Sequence, residues 1–416
     1  MQVVGRRWLV AVVLAVSAAP IGAQMIDSAS GARATGGVRA QAIGLVTRVD
    51  PAVAGRTYTE GYLAQPVIMA HGSVFRGALS GVVTLDFEGL TLERGQLTPG
   101  AYGEGYADRR HPHTYLHEAL VIAQGAFRQT RVSLTAGKGF VPFGTDDPMM
   151  RPFAMYPANH HLAQILERYV AIGAVQYGPI ALEAAVFNGD EPLSAGAPPD
   201  ASRFGDSWSM RATYTPIRPV ELQGSYAFVT SPELAGGAGL DQRKWSAAIR
   251  FDRPTGRVRG GLLEWARTDA LLGDLRTNSF TSVLGEAAMA AGPVTFAGRY
   301  ETTTRPEEQR LLDPFRVSRT PTDLGIIGIT RWQIGTLAAS VTRSLGPLDV
   351  APFAEVSFSR PTEELTPTAF VPREFYGSTS IWSVSLGARF GVGPALHRMG
   401  RYGAGLPNAS SSPHAH

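Results

Sequence analysis

The chain lacks cysteine entirely and contains only two lysines, Lys138 and Lys244, among its 416 residues. The absence of cysteine excludes disulfides, thiolate metal ligands and cysteine nucleophiles. After the amino-terminal segment there is no run of about 20 apolar residues, which excludes a further transmembrane helix. The chain also lacks an excess of either charge, because 38 basic and 35 acidic residues leave a formal net charge of only +3. So small an excess gives no indication of nucleic-acid binding.

The amino terminus, MQVVGRRWLVAVVLAVSAAPIGAQ, has the layout of a secretory signal peptide. Arg6 and Arg7 form a basic start, residues 8–21 are mostly apolar, and Ala23 ends a run of small residues suited to cleavage. The apolar run is short for a membrane-spanning anchor. We therefore expect residues 1–23 to direct export through the Sec pathway and to be removed. An uncleaved anchor helix is the alternative.

Apolar residues make up 44% of the chain, yet they are spread by alternation and not gathered in runs. In SWSMRATYT, which begins at Ser207, apolar residues alternate with polar ones. The same period of two recurs in VELQGSYAFV, KWSAAIRFD and VTFAGRYET, and it indicates β-strands with one apolar and one polar face. Each run covers about 9–11 residues, the length of a tilted strand that crosses a bilayer.

The connections between these strands are of two kinds. Tight turns contain Gly-Pro or Arg-Pro, as in YGPIA, TPIRPV, DRPTG and AGPVT. Longer polar loops separate the hairpins, at residues 90–111, 144–168, 189–206, 230–242, 303–323 and 360–378. Short turns at one end and long loops at the other are typical of outer-membrane barrels.

The last strand, IWSVSLGARF, runs from Ile381 to Phe390 and resembles the C-terminal assembly signal of bacterial outer-membrane barrels. Residues 391–416 follow it as a tail, whose simplest interpretation is a periplasmic extension. We predict an all-β fold, a transmembrane antiparallel β-barrel of about 16 strands (about 16–18) with one loop folded into the lumen. The expected divisions are a signal peptide (1–23), an N-terminal segment that leaves a first strand open (24–61), the barrel (62–390) and the tail (391–416).

A soluble β-sandwich or propeller is the alternative fold. Neither would need apolar outer faces on consecutive strands or a terminal assembly signal. No repeat of about 40–50 residues supports propeller blades.

Three stretches, GKGFVPFGTDDPM, ERYVAIGAVQYGPIALEAAVFNGDEP and the closing WSVSLGARF, resemble porin-type outer-membrane barrels of Gram-negative bacteria, phosphate-selective-porin-like barrels included. This resemblance covers nearly the whole chain after the signal peptide. DRRHPHTYLHE, with the later NHH and FNGDEP, also resembles a narrower, largely uncharacterised group of barrels that carry an Asp-Arg-x-His-Pro-His motif. The resemblance implies an architecture and a place in the outer membrane, but not a substrate.

A barrel of this size encloses a water-filled lumen, and alternation places charges of both signs on its inner wall. A small basic excess favours weak anion preference, although the same positions also fit a solvated wall without selectivity. The loop at 144–168 is rich in methionine, proline and aromatic residues, so we expect it to fold into the lumen, with a helical turn in LAQILER. The predicted pore-lining and constriction residues are Arg131, Asp146, Asp147, Arg151, Arg168, Arg211, Glu221, Lys244, Arg250, Arg299 and Glu301.

Five of the nine histidines lie in two short stretches, DRRHPHTYLHE and NHH. Imidazoles at alternate strand positions can converge on one divalent metal ion. Pro112 places the first of them at a loop or strand entry, and Glu118 points away from His117 unless a bulge re-aims it. The candidate metal ligands are His111, His113, His117, His160 and His161.

Two other interpretations of the histidines stay open. A hydrogen-bonded network that pins the loop to the wall explains the same residues without a metal, with Asp108 and Glu118 pairing to Arg109, Arg110 or Arg151. A hydrolase would pair Ser133 with His117, but no G-x-S-x-G nucleophile elbow is present.

The sequence thus favours a porin-like outer-membrane channel, not an enzyme, for passive diffusion of small polar or anionic solutes. A barrel that binds or handles a metal ion is the second hypothesis, and an outer-membrane hydrolase is the third. We expect no cofactor apart from that metal ion, and contacts with outer-membrane lipid, lipopolysaccharide and the barrel-assembly machinery. The sequence leaves the solute, and the choice between homotrimer and monomer, undetermined.

Overall fold

The computed structural model describes residues 26–27, 33–51, 57–91, 113–192, 194–253, 255–308, 326–363, 371–394 and 398–406. His111, Asp108, Arg109, Arg110 and the signal peptide lie outside these residues. Within them, most of the chain is β-strand. The strands are β1 (Ile26–Asp27), β2 (Arg33–Asp50), β3 (Tyr58–Val74), β4 (Leu79–Asp86), β5 (Leu116–Phe127), β6 (Thr130–Gly139), β7 (Arg168–Tyr177), β8 (Ile180–Phe187), β9 (Ser207–Ile217), β10 (Val220–Val229), β11 (Asp241–Asp252), β12 (Val258–Leu272), β13 (Leu275–Ala291), β14 (Val294–Glu308), β15 (Ile326–Val341), β16 (Arg343–Leu345), β17 (Leu348–Glu363) and β18 (Ile381–Val392).

Sixteen of these strands form one closed antiparallel barrel, in which each strand pairs with the next and β18 pairs with β2. The two short strands, β1 and β16, pair with the ends of β2 and β17, and β15 pairs directly with β17. Closure leaves no unpaired edge, and it confirms the predicted all-β barrel. The first strand of the barrel wall, which the sequence left open, is β2 and begins at Arg33. Together with the start of β3 at Tyr58, it shows that the wall begins before residue 62.

Glycine allows the first and last strands to meet closely at the seam. A Cβ atom on Gly387 would lie 2.3 Å from the carbonyl oxygen of Gly44 and 2.9 Å from the Cβ of Leu45. Any larger residue at position 387 would therefore push β18 away from β2.

The barrel is apolar outside and polar inside. On β9, the residues Trp208 and Met210 are 39% and 52% exposed, whereas Ser209 and Arg211 are 1% and 2% exposed. The alternation that the sequence shows is thus inverted relative to a soluble protein, because the apolar face is the outer one. A wall whose apolar side chains face outward is suited to lipid, as in transmembrane barrels.

The two ends of the barrel differ in the length of their connections. At the turn end, connections of two residues join the strands at 128–129, 178–179, 218–219 and 292–293. At the loop end, long connections occupy 87–115, 140–167, 188–206 and 230–240. The predicted alternation is confirmed, with one exception at the loop end, where residues 273–274 alone join β12 to β13.

Two segments occupy the lumen. The lumen loop (residues 140–167) joins β6 to β7, and its burial confirms the predicted loop folded into the barrel. The lumen tail (residues 398–406) follows β18, and the side chains of Arg401 and Tyr402 are 0% and 2% exposed inside the wall. The interpretation of the tail as a periplasmic extension is therefore wrong for these residues, because their arginine and tyrosine side chains have partners inside the barrel.

The helices among the described residues are short. The lumen loop contains one at His160–Ala163, and the backbone is extended again at Gln164, so LAQILER does not form the expected helical turn. Within the part of the chain that the structure describes, no helix has the length and apolar character needed to cross a membrane.

Candidate functional site

Carboxylates on the far wall hold the backbone of the lumen loop. The backbone N–H groups of Ala154 and Met155 donate to Glu355 on β17, at 2.8 and 3.1 Å. The N–H of Ala158 donates to Glu301 on β14 at 2.8 Å. These bonds satisfy loop donors that would otherwise be buried without a partner, so the loop crosses the lumen as an ordered segment.

Basic wall residues bind the carbonyl groups of the same loop. Arg299 on β14 donates to the carbonyl oxygens of Met155 and Tyr156 at 3.0 and 3.3 Å. Its guanidinium also lies 4.7 Å from the centre of the Phe153 ring, a cation–π contact. Lys244 on β11 donates to the carbonyl of His161 at 2.8 Å.

The lumen loop contributes its own cation. Arg151 lies 3.7 Å from Glu264 on β12 and 3.3 Å from Glu286 on β13. Glu264 also accepts hydrogen bonds from Thr145 at 2.5 Å and Asn159 at 2.7 Å. This carboxylate therefore holds Thr145, from the first half of the loop, and Asn159, from its second half, at one position on the wall.

The lumen tail docks through a cluster of charges. Arg398 donates to both oxygens of Asp146 at 2.6 Å and to Glu221 on β10 at 2.7 Å. Arg401 donates to Glu221 at 2.9 Å, and Arg250 on β11 forms a further ion pair with Asp146. Burial disfavours the Asp146 carboxylate, but Arg398 and Arg250 hold its pKa well below the ordinary range. The tail, the loop and the wall thus share one set of charges.

Further along, the tail contacts the wall from β5 to β9. Tyr402 donates its hydroxyl to Glu118 at 2.6 Å, and the N–H of Ala404 donates to Ser133 at 2.9 Å. Arg211 on β9 forms a bidentate pair with Glu183 on β8, at 2.6 and 2.8 Å, and donates to the carbonyl of Gly400 in the tail at 3.0 Å.

The residues predicted to line the lumen separate into three groups. Arg211, Glu221, Lys244, Arg250, Arg299 and Glu301 project from the inner wall, and Asp146, Asp147 and Arg151 come from the lumen loop. Arg131 donates to Gln176 at 3.1 Å on the inner wall, near the tail. Arg168 begins β7 at the loop end, where it donates to Glu191 at 3.0 Å.

A cavity of about 300 Å³ opens toward the turn end of the lumen. Its lining includes Arg39, Arg151 and Arg389, with Asp349 as the one carboxylate in that lining. The predicted pore-lining residues included Arg151 of this cavity but not Arg39. The alternation of residues 38–49 could have indicated it, since Arg39 lies in the strand that was left open.

A bulge brings two consecutive polar residues of β5 into the interior. The register between β4 and β5 shifts at Thr84 and Leu85, which face Glu118 and Leu116, so His117 has no direct partner across the ladder. His117 and Glu118 are both 0% exposed. The bulge that the sequence argument required for Glu118 to share the side of His117 is present.

The histidines that the structure describes meet carboxylates that the sequence argument missed. Nδ1 of His117 lies 2.7 Å from Glu167, and Nδ1 of His113 lies 3.5 Å from Asp86 and 3.3 Å from Glu88. Burial opposes a charge on His113, but Asp86 and Glu88 raise its pKa well above the ordinary value. Burial likewise opposes a charge on the Glu167 carboxylate, but the hydrogen bond from His117 holds the pKa of Glu167 well below the usual range.

His160 and His161, the other predicted histidines that the structure describes, lie further from this cluster. The ring of His160 is 6.2 Å from that of His113 and stacks at 5.2 Å on Tyr156, centre to centre. His161 packs edge-on against His160 at 5.1 Å. The predicted network therefore exists in part, but with other partners: Glu118 accepts from Thr84 and Tyr402, and Arg151 pairs with carboxylates of the opposite wall.

The geometry gives the hydrolase hypothesis no support. Ser133 accepts a hydrogen bond from the tail, and Nδ1 of His117 is taken up by Glu167. Among the hydrogen bonds of the described residues, none joins Ser133 to a histidine that could remove its proton.

Comparison with known proteins identifies structural relatives only. No protein-family model and no curated protein sequence matches the chain. The anion-selective porin from Comamonas acidovorans is 12% identical, covers 86% of this chain and 99% of its own, and superposes with a TM-score of 0.51. The outer membrane channel DcaP of Acinetobacter baumannii is 10% identical, covers 89% of this chain and 99% of its own, and also gives 0.51. Likeness at such low identity is a likeness of fold.

Proposed function

We propose that the protein is a porin-like channel of the Gram-negative outer membrane, exported with its signal peptide and folded by the barrel-assembly machinery. Small polar or anionic solutes diffuse through it passively. The observation that carries the proposal is the charged inner wall, which bears Arg211, Lys244 and Arg299 as well as Glu221 and Glu301. An inner wall of this kind is typical of barrels that hold water and solutes, whereas a purely structural core would be apolar.

The cavity at the turn end supports an anionic solute. Three arginines and one aspartate line it, and positive charge between low-dielectric walls raises the local concentration of anions. The structural neighbour from Comamonas acidovorans is an anion-selective porin. We extend that preference to this chain as part of the proposal, with phosphate as the first oxyanion to test because of the phosphate-selective-porin resemblance.

The lumen loop and the lumen tail narrow the path that a solute takes. The tail is held mainly through Arg398, Arg401 and Tyr402, whose polar contacts water can replace. We therefore assign the tail the role of a plug that restricts conduction.

The proposal is tested by single-channel current in planar bilayers under a KCl gradient. Two chains are compared: residues 24–416, and a shortened chain that ends at Val392 and keeps the whole of β18. We expect stepwise currents from both, larger steps from the shortened chain, and a reversal potential on the anion side. Replacement of chloride by phosphate then measures preference for that oxyanion.

Folding is checked by migration in unheated gels, where a closed barrel runs differently from the unfolded chain. Two folded but silent chains would refute the channel. Currents of equal size from both would keep the channel and reject the tail as its plug.

A further inference from the structure

We propose that Asp86, His113 and His117 bind one first-row divalent cation of the zinc type inside the barrel. Each residue offers a ligand atom, and the three atoms lie within 4.8 Å of one another. The side chains are between 0% and 2% exposed. This inference does not depend on the channel proposal, since a barrel can bind the ion whether or not it conducts.

The three residues converge because of local backbone features. Asp86 is the last residue of β4, His113 lies in the connection before β5, and His117 occupies the bulge near the start of β5. Ligand atoms around a tetrahedral zinc ion are about 3.4 Å apart, because each metal–ligand distance is about 2.0–2.1 Å. Since the ligand atoms lie within 4.8 Å of one another, a closure of up to about 1.4 Å would bring the three side chains to bonding distance.

Several polar atoms of the three residues are buried without a hydrogen bond. They are Nε2 of His117, both ring nitrogens of His113, and Oδ2 of Asp86, which has a longer ionic contact of 3.5 Å with Nδ1 of His113. A buried polar atom left in this state is destabilising, so several at one point need an explanation. A single metal ion bound by the three residues would give one of these atoms on each residue a partner.

Hydrogen bonds from neighbouring residues hold His117 and Asp86 in place, as is usual for side chains that bind a metal. Nδ1 of His117 bonds to Glu167 at 2.7 Å, which fixes the ring and leaves Nε2 as the nitrogen without a hydrogen bond. Glu167 is itself fixed by Thr114, whose N–H and hydroxyl donate to it at 2.8 and 2.9 Å. Asp86 accepts from the N–H of Glu88 at 2.7 Å through its other oxygen.

The charges around the cluster also favour a cation. Asp86, Glu88 and Glu167 contact the two imidazoles directly, so carboxylates outnumber histidines. A divalent ion offsets this excess without requiring both imidazoles to be protonated. Two imidazole ligands argue against magnesium and calcium as the bound ion, because those ions prefer oxygen ligands. Imidazole nitrogen suits zinc, nickel or copper.

The binding test uses residues 24–416 without an affinity tag, refolded in detergent and stripped of metal. Titration with Co²⁺, followed by its visible d–d absorption, reports stoichiometry and coordination, and displacement by Zn²⁺ reports the zinc affinity. We expect one equivalent per barrel. Glu167→Gln should weaken binding about 10- to 100-fold, as loss of an outer carboxylate does, and the ligand variants His113→Gln, His117→Gln and Asp86→Asn should weaken it further.

The matched control is His71→Ala, which removes an exposed histidine of β3 and should leave the affinity unchanged. His160→Ala tests the wider set of histidines, and it too should bind one equivalent. A folded unmodified barrel that binds no Co²⁺ or Zn²⁺ overturns the site. Binding of one equivalent by a folded His113→Gln, His117→Gln double variant also overturns it, because other histidines would then be the ligands.

Discussion

At the scale of single residues, the pair formed by Glu183 and Arg211 is the clearest test of the inner wall. Both side chains are 1% exposed, and two nitrogens of Arg211 contact the carboxylate. Glu183→Gln leaves a buried guanidinium without its counter-charge. We expect this change to lower the free energy of unfolding by about 3–5 kcal/mol, measured by guanidinium titration in lipid vesicles.

The control for this variant is Arg48→Gln. Arg48 lies 3.9 Å from Asp50, and the side chains are 64% and 55% exposed. Loss of so exposed a pair should change the free energy of unfolding by less than about 1 kcal/mol. Equal effects of the two variants would contradict the buried role of Glu183.

The outer wall makes a prediction that depends on depth. Val283 lies midway along β13 with 45% of its side chain exposed, whereas Leu275 begins that strand with 66% exposed. Val283→Arg should cost about 2–4 kcal/mol in lipid vesicles, because it places a charge at the level of the hydrocarbon. Leu275→Arg, near the interface, should cost about 0–1 kcal/mol. Similar costs would argue against the membrane position of this strand.

Single residues also mark the limit of what the sequence predicts. Alternation placed Arg211 and Lys244 inside correctly, because the side-chain period of a strand is fixed by its backbone. It did not find Asp86 or Glu167 beside the histidines. Their positions depend on a bulge in β5 and on the fold of a loop, and neither leaves a periodic signal in the sequence.

At the scale of elements, the lumen tail should become accessible when its arginines are replaced. Arg398→Gln with Arg401→Gln removes the cations that bind Asp146 and Glu221. We expect proteinase K to cleave after Val392 in this double variant and to leave the unmodified tail intact, as judged by intact-protein mass. Arg373→Gln, an exposed position outside the tail, is the control and should remain protected. Cleavage of the unmodified protein at the same rate would contradict the docking.

The dependence of this docking on pH follows from Asp146. Arg398 and Arg250 outweigh the effect of burial and depress the pKa of Asp146. The pKa of this carboxyl is 3.8 in the unfolded chain and lower in the folded protein. Its ionised form therefore stabilises the folded state at pH values above 3.8, and this contribution is lost as the pH falls through the lower pKa of the folded protein. Protection of the tail should therefore be constant from about pH 7 to pH 4. Asp146→Asn should expose it at pH 7, in the same protease assay.

Elements differ in how far the sequence reveals them. The strands and the two kinds of connection were predictable, since both alternation and turn residues are local signals. The inward fold of the lumen loop followed from its apolar composition. The docking of the tail did not, because Arg398 and Arg401 find their partners in strands about 180 residues earlier, and no local pattern encodes such a contact.

At the scale of the whole molecule, the arginine-lined cavity should set the ion preference. Arg39→Gln with Arg389→Gln removes two of the three basic residues in its lining. We expect the reversal potential under a KCl gradient to shift toward that of an unselective pore, because the positive field at the turn end is weakened. Arg267→Gln changes a partly exposed residue outside the cavity and should leave the potential unchanged. An unaltered potential in the double variant would place the selective region elsewhere.

The anchoring of the lumen loop by Glu355 also links the loop to the completeness of the wall. Ala154 and Met155 bind a carboxylate that lies about 200 residues after them, on the strand next to the last one. These contacts are available only once β17 has joined the wall. We expect an incompletely folded barrel to leave this apolar segment open to an added protease, whereas the closed barrel buries it. Burial of the lumen loop thus reports that the wall is complete.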